Sequence, residues 1–134
     1  MRDLHNNIAP AVAFDTAAIS SNTTTAGNII DRQGYEAVEF ILLSGTLTDG
    51  TYTPLIEHGD AANLSDAAAV ADSELLGTEA DAAFAATEDD AVKRVGYIGS
   101  KRYVRLSIVS ASTTSGGTMS AIAVKGRAHT NPIA

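Results

Sequence analysis

Between Tyr103 and Ile108 apolar and polar side chains alternate without a break. Val104, Leu106 and Ile108 fall on one face, and Tyr103, Arg105 and Ser107 on the other. Arg102, in phase with the first set, stands at the entrance. A period of two belongs to a strand buried on one side. Ser120–Lys125 repeats the pattern, which predicts Ile122 and Val124 inward and Lys125 outward. In Glu36–Leu43, Val38, Phe40 and Leu42 share a phase. Ile41 and Leu43 make the end of that run apolar on both faces, as in a strand covered on two sides. Tyr52 to His58 and Ala91 to Ile98 are shorter strand candidates, and Ala9 to Ile19 is an extended, weaker one.

Turn residues separate these runs. Asp49-Gly50, a hairpin dipeptide, lies between Leu47 and Tyr52. Gly99-Ser100 and Ser115-Gly116-Gly117 flank the Tyr103 run, and Gly34 precedes Tyr35. A parallel sheet needs long crossover helices, for which 134 residues leave no room. The expected fold is mainly β: an antiparallel β-sandwich of jelly-roll type, in one domain over 8–130. An N-terminal arm over 1–7 and a C-terminal tail over 131–134 flank it. Two segments stay open. Asp60 to Asp72 is Ala-rich, and one alternative for it is a short helix capped by Ser65 or Asp66. The rival is a loop around Asn63–Asp66 followed by a strand through Val70 and Leu75-Leu76. Asp81–Ala86 has the same ambiguity, with Phe84 as a core anchor. Ser20–Thr25 and Ser110–Ser115 read as exposed loops.

Composition narrows the chemistry. The chain contains no cysteine, which removes disulfides, thiolate metal sites and a cysteine nucleophile. No apolar run is long enough for a membrane helix, and Met1–Asn7 lacks the pattern of a secretory signal. The formal charge is −7, with 9 Lys+Arg against 16 Asp+Glu. That balance argues against a nucleic-acid partner, which needs a basic footprint. From Asp60 to Asp90 every charged residue is an acid, and from Lys93 to Arg127 every one is a base. The two blocks read either as partners, within the fold or across a subunit contact, or as solvated faces of opposite sign.

Searches for a reactive centre find little. His5, His58 and His129 show no metal-ligand spacing and read as surface or loop residues. Asp60, Asp66 and Asp72 lack the order of a calcium loop. No serine stands in a nucleophile elbow. Gly96–Lys101 departs from a phosphate loop in both spacing and order. Aromatics make up 5 % of the chain and Trp is absent, which poorly supplies a sugar-stacking cleft. The residues therefore predict no enzyme and no cofactor.

The segment Val95-Gly96-Tyr97-Ile98-Gly99-Ser100-Lys101-Arg102-Tyr103-Val104-Arg105-Leu106 resembles a family of small virion proteins of tailed bacteriophages. Met1–Leu4 with Asn6-Asn7, Asp31–Val38, Leu75–Gly77, and Val124–His129 with Pro132 are similar too. The resemblance implies a head decoration or cement protein. Such a protein is a β-sandwich bound outside the capsid shell, with the major capsid protein as partner and no catalytic residues to carry over. It implies synthesis in the bacterial cytoplasm and residence on the virion exterior. Partners of the other classes, nucleic acid and membrane, are not expected. A protein that acts through surfaces needs contact residues. The candidates are Arg2, Asp3 and Leu4 on the arm, Ile41 and Leu43 on the doubly apolar strand, and Tyr103 and Arg105 on the outer face of theirs. The expected assembly is a homo-oligomer, dimer or trimer. The alternatives are another virion component, such as a tail or fibre module, or a stand-alone carbohydrate or cell-surface binding module.

Overall fold

The computed structural model describes residues 3–129. Eleven strands follow one another: β1 (Ile8–Ile19), β2 (Thr24–Thr25), β3 (Ile29–Asp31), β4 (Tyr35–Leu47), β5 (Thr51–Gly59), β6 (Ala68–Ala69), β7 (Leu75–Leu76), β8 (Phe84–Ala85), β9 (Val92–Tyr97), β10 (Tyr103–Ala111) and β11 (Gly117–Ala128). They form two antiparallel sheets. The first is five-stranded, in the order β1-β11-β4-β9-β7. The second follows β2-β10-β5-β6, with β3 also on β10 and β8 also on β5.

The core lies between the sheets. Val38, Phe40, Leu42, Val95 and Met119 face it from the first, and Tyr52, Ile56, Val104, Leu106 and Ile108 from the second. The phase expected for β4 and β10 is the phase observed. For β11 it is reversed: Ala121 and Ala123 are buried, Ile122 faces out and Val124 is half-exposed. The reason is steric. Ala121 lies opposite Phe14, and Ala123 opposite Phe40. Two small side chains make room for two rings in a densely packed interior, and the bulkier Ile122 and Val124 take the other face.

Asp49-Gly50 is a turn, with Gly50 at φ +87, but not a hairpin. β4 pairs with β11 and β9, while β5 pairs with β10. The turn is a corner where the chain leaves one sheet for the other, as are those after β9 and β10. Asp49 fastens two of these corners together. Its carboxylate accepts the N–H groups of Thr114, Ser115 and Gly116 at 2.8–3.1 Å. Those bonds hold its pKa below the usual carboxylate range. On one side the sheets nearly touch. A Cβ on Gly27 would lie 2.0 Å from the Leu106 carbonyl oxygen and 2.4 Å from that of Ala13.

The Ala-rich middle forms no α-helix. It is a loop through Asn63–Asp66, then the short β6, a 3-10 turn at Asp72–Glu74, and β7. Asp66 explains the loop. Its carboxylate accepts the N–H groups of Asp60 and Ala61, and Asn63 accepts that of Ser65. Such bonds offer the backbone an alternative to helix. Phe84 is buried, as its isolation in a run of alanines predicts. Thr24-Thr25, expected in an exposed loop, pairs with Ile108 and Val109, and Ser110 is buried beneath it.

Both sheets manage their edges. β6 and β8 cover opposite ends of β5, and between them the Ile56 N–H donates to Glu79 Oε1 at 2.6 Å. Pro54, two residues earlier, shares that edge and has no N–H to leave unpaired. β7 covers β9 at the far edge of the first sheet.

Candidate interaction surface

The outer face of the five-stranded sheet can be read from its register. One row runs Val12–Ile122–Ile41–Arg94 across four strands. The next holds Ser120, Leu43 and Val92, and the row on the other side Pro10, Val124, Glu39, Gly96 and Leu76. Strand alternation forces these residues to share a face. Val12 is 54 % exposed, Ile122 41 %, Leu43 47 %, Val92 64 % and Leu76 57 %. Across its central rows the charged residues are Glu39 and Arg94, and Arg127 pairs with Glu36 at one end. Scattered apolar residues on a surface are ordinary; a contiguous apolar sheet face is not.

Gly96 opens a depression in this face. A Cβ there would lie 2.6 Å from Glu39 Oε2 and 3.1 Å from Leu76 Cβ. Two shallow troughs meet at Glu39 and Leu76. One of about 340 Å³ extends toward Arg94, and one of about 410 Å³ extends past Val124 and Gly126. Partial burial raises the Glu39 pKa, and the Arg94 charge pulls it back.

The structure divides the sequence-predicted contact residues. Ile41 and Leu43 lie together on this face, at its central strand. Tyr103 and Arg105 lie on the outer face of the other sheet, across the sandwich. Arg105 there donates to Glu57 Oε1 at 2.9 Å, and Arg102 stands over the Tyr103 ring at 4.9 Å. Leu4 is 58 % exposed. Asp3 accepts the Asn6 backbone and side-chain N–H groups at 3.0 and 2.7 Å, bonds that lower its pKa. It thereby braces the 3-10 turn His5–Asn7 that leads into β1. Arg2 and the 131–134 tail lie outside the described residues. Sequence reasoning missed Val12, Val92 and Ile122 as partners of Ile41. Their shared face follows from inter-strand register, which no single segment encodes.

The opposed charge blocks meet at two places. Lys93 pairs with Glu88 at 2.7 Å and Lys101 with Asp60 at 2.9 Å. Arg102, Arg105 and Arg127 instead find Asp31, Glu57 and Glu36, outside the acidic block.

One histidine departs from expectation. His58 is buried rather than on a loop or the surface, with Nδ1 2.8 Å from the Tyr97 hydroxyl. That hydroxyl accepts the Lys101 N–H at 3.1 Å, and burial raises its pKa. The Tyr97 hydroxyl thus bridges His58 Nδ1 and the Lys101 N–H. The trio braces the β9–β10 corner. A third trough, about 280 Å³, is lined by Arg32, Tyr35, Arg102 and His129 among others. Its cations are engaged: Arg102 with Asp31, and Arg32 with the Lys101 and Tyr35 carbonyls. Among the described residues no group of three or more His, Asp or Glu is placed to hold a metal ion, and no helix is long and apolar enough to cross a membrane.

No family model matches the chain, and no curated protein matches it. Solved structures do. The SPBc2 prophage-derived protein YomS superposes with a TM-score of 0.54 at 12 % identity, over 89 % of this chain and 92 % of YomS. The PBSX exported protein XepA gives 0.53 at 17 % identity, over 92 % of this chain but 38 % of XepA. The chain therefore spans well under half of XepA. A xylan-binding module, CBM15, gives 0.40 at 11 % identity over 96 % of this chain and 95 % of the module. At these identities the first two likenesses establish a shared fold.

Proposed function

We propose that this protein is a structural component of a tailed-phage virion that binds the outside of the capsid and stabilises the shell. The observation that carries the reading is the two-sheet antiparallel sandwich, which offers a partner two broad outer faces. A binding surface of that kind does not need a pocket. Two prophage proteins of the same fold support a phage setting, and the Val95–Leu106 segment, with its resemblance to head decoration proteins, supports the capsid.

The mechanism is linkage. A ligand that binds the intact lattice and not its dissociated subunits shifts the equilibrium toward the lattice by RT ln(1 + [L]/Kd). Repetition over a shell adds avidity without any new contact. The test is to add the purified chain to capsids of the parent phage that lack it. Saturating binding with a raised temperature of shell disruption supports the proposal. Absence of binding to capsids, with binding to tails or to polysaccharide, overturns it in favour of a tail component or a carbohydrate-binding module.

A further inference from the structure

We propose that the outer face of the five-stranded sheet is covered by a second copy of this chain, sheet against sheet. The inference goes beyond the capsid reading and stands on the fold alone.

The area is of the right scale. Five strands at the usual spacing span about 24 Å, and Ala37 to Gly45 of the central strand span about 27 Å. The face is therefore on the order of 600 Å², close to the roughly 800 Å² each partner gives to a standard interface. Its centre is the driest part, as the core of an interface should be. Ile41 is flanked there by Ile122, Leu43 and Val92.

Charge favours a like partner. The molecule carries −7 overall, so two copies repel if they approach through their acidic parts. The acidic stretch 60–90 contributes Leu76 to this face. The central rows bring one acid and one base, Glu39 and Arg94, near each other on adjacent strands. Two such faces meet with no net charge added. A strongly acidic or basic partner has nothing here to complement it. A face that matches itself gives an isologous contact, which closes at two copies. The doubly apolar run Ile41–Leu43 is then covered on both sides, as its sequence requires: one cover is the core and the other the second copy.

The experiment uses the full chain in sedimentation velocity from 1 to 200 µM. The expected mass is twice the 13.8 kDa of the chain. Leu43→Glu and Val92→Lys, singly, are expected to weaken dimerisation at least 100-fold and restore the monomer mass. Both sites are exposed, so the far-UV spectrum and cooperative melting of each variant should persist. Val109→Lys, on the other sheet, should leave the dimer intact. Because the chain lacks cysteine, Ile122→Cys with a short bis-maleimide gives an independent reading without disturbing charge, and it should cross-link into dimers. A monomer at 200 µM overturns the proposal. So does an oligomer that Leu43→Glu and Val92→Lys leave unchanged, or one dissociated by Val109→Lys. A monomer whose capsid binding is abolished by Leu43→Glu assigns the face to the capsid instead, and overturns this inference while leaving the proposed function standing.

Discussion

Phe84→Ala tests whether the long excursion between β5 and β9 is an integral part of the sandwich. Phe84 is 1 % exposed and sits opposite Tyr52 at the end of the second sheet. The Lys93 ammonium lies 5.1 Å from its ring centre, donates to the Ala83 carbonyl at 2.5 Å, and pairs with Glu88. A buried Phe removes on the order of 200 Å² from water, which at about 25 cal/mol per Å² is worth ~5 kcal/mol when complete. Alanine retains part of that and leaves a cavity, so the expected cost is about 4 kcal/mol, within the usual range for Phe→Ala. Against a total of roughly 5–15 kcal/mol, this is a large fraction of the stability. With a urea slope of about 2 kcal/mol per M, the unfolding midpoint falls by ~2 M. Amide exchange should also quicken through 78–90 at denaturant levels where β10 stays protected. A cost below ~1 kcal/mol would refute the reasoning, because the ring would then not be packed between sheet and loop.

Gly27→Ala drives a methyl into two backbone carbonyls at the closed side of the sandwich and should cost about 3 kcal/mol or more in urea unfolding. Gly34→Ala, at φ +89 in open space, should cost only about 1 kcal/mol of backbone strain, which separates a clash from a conformational penalty. Thermal melts across pH 2.5–7.5 should show a maximum between the two groups of shifted carboxyls. The raised pKa values of Glu39 and Glu79 mean the folded state takes up protons first, so stability rises as pH falls from 7 through those values. The lowered values of Asp31, Asp49 and Asp66 mean their contribution is full above the unfolded-state value of about 4 and is lost as pH drops through the folded one. Asp49→Asn, which gives up one acceptor oxygen at the corner, should flatten that acid limb. Tyr97→Phe removes the hydroxyl shared by His58 and Lys101 and should cost about 1–3 kcal/mol, read as a lower urea midpoint.

Much of the fold was legible in the sequence because burial in a two-layer sandwich writes a period of two into each long strand. Val104, Leu106 and Ile108 could face only one way once Tyr103 and Arg105 faced the other. β11 was misphased because hydrophobicity ranks Ile122 above Ala121, whereas the interior selects by volume. The small residue is inside because Phe14 occupies the space opposite. The Asp49-Gly50 dipeptide carries its positive φ but not the identity of the strands it joins, since sheet membership is settled by partners far along the chain. In the Ala-rich middle the sequence leaves helix and loop-then-strand both open, because alanine favours helix wherever nothing competes. Here Asp66 and Asn63 compete through bonds to nearby N–H groups, and Leu64, Val70 and Leu75 are drawn onto the core. Of the candidate surface, Ile41 and Leu43 stood out because a strand apolar on both faces is unusual. Val12, Val92 and Ile122 did not, each being a single residue in a different segment. His58 was misjudged for a similar reason: its partner Tyr97 lies 39 positions away.

A side-chain-resolution map of the parent virion tests the capsid reading most directly. The account predicts this sandwich as ordered density on the outer surface of the shell, each copy touching more than one capsid subunit. Density at the tail or baseplate with none on the shell, or a virion that contains no copy of the chain, would contradict it.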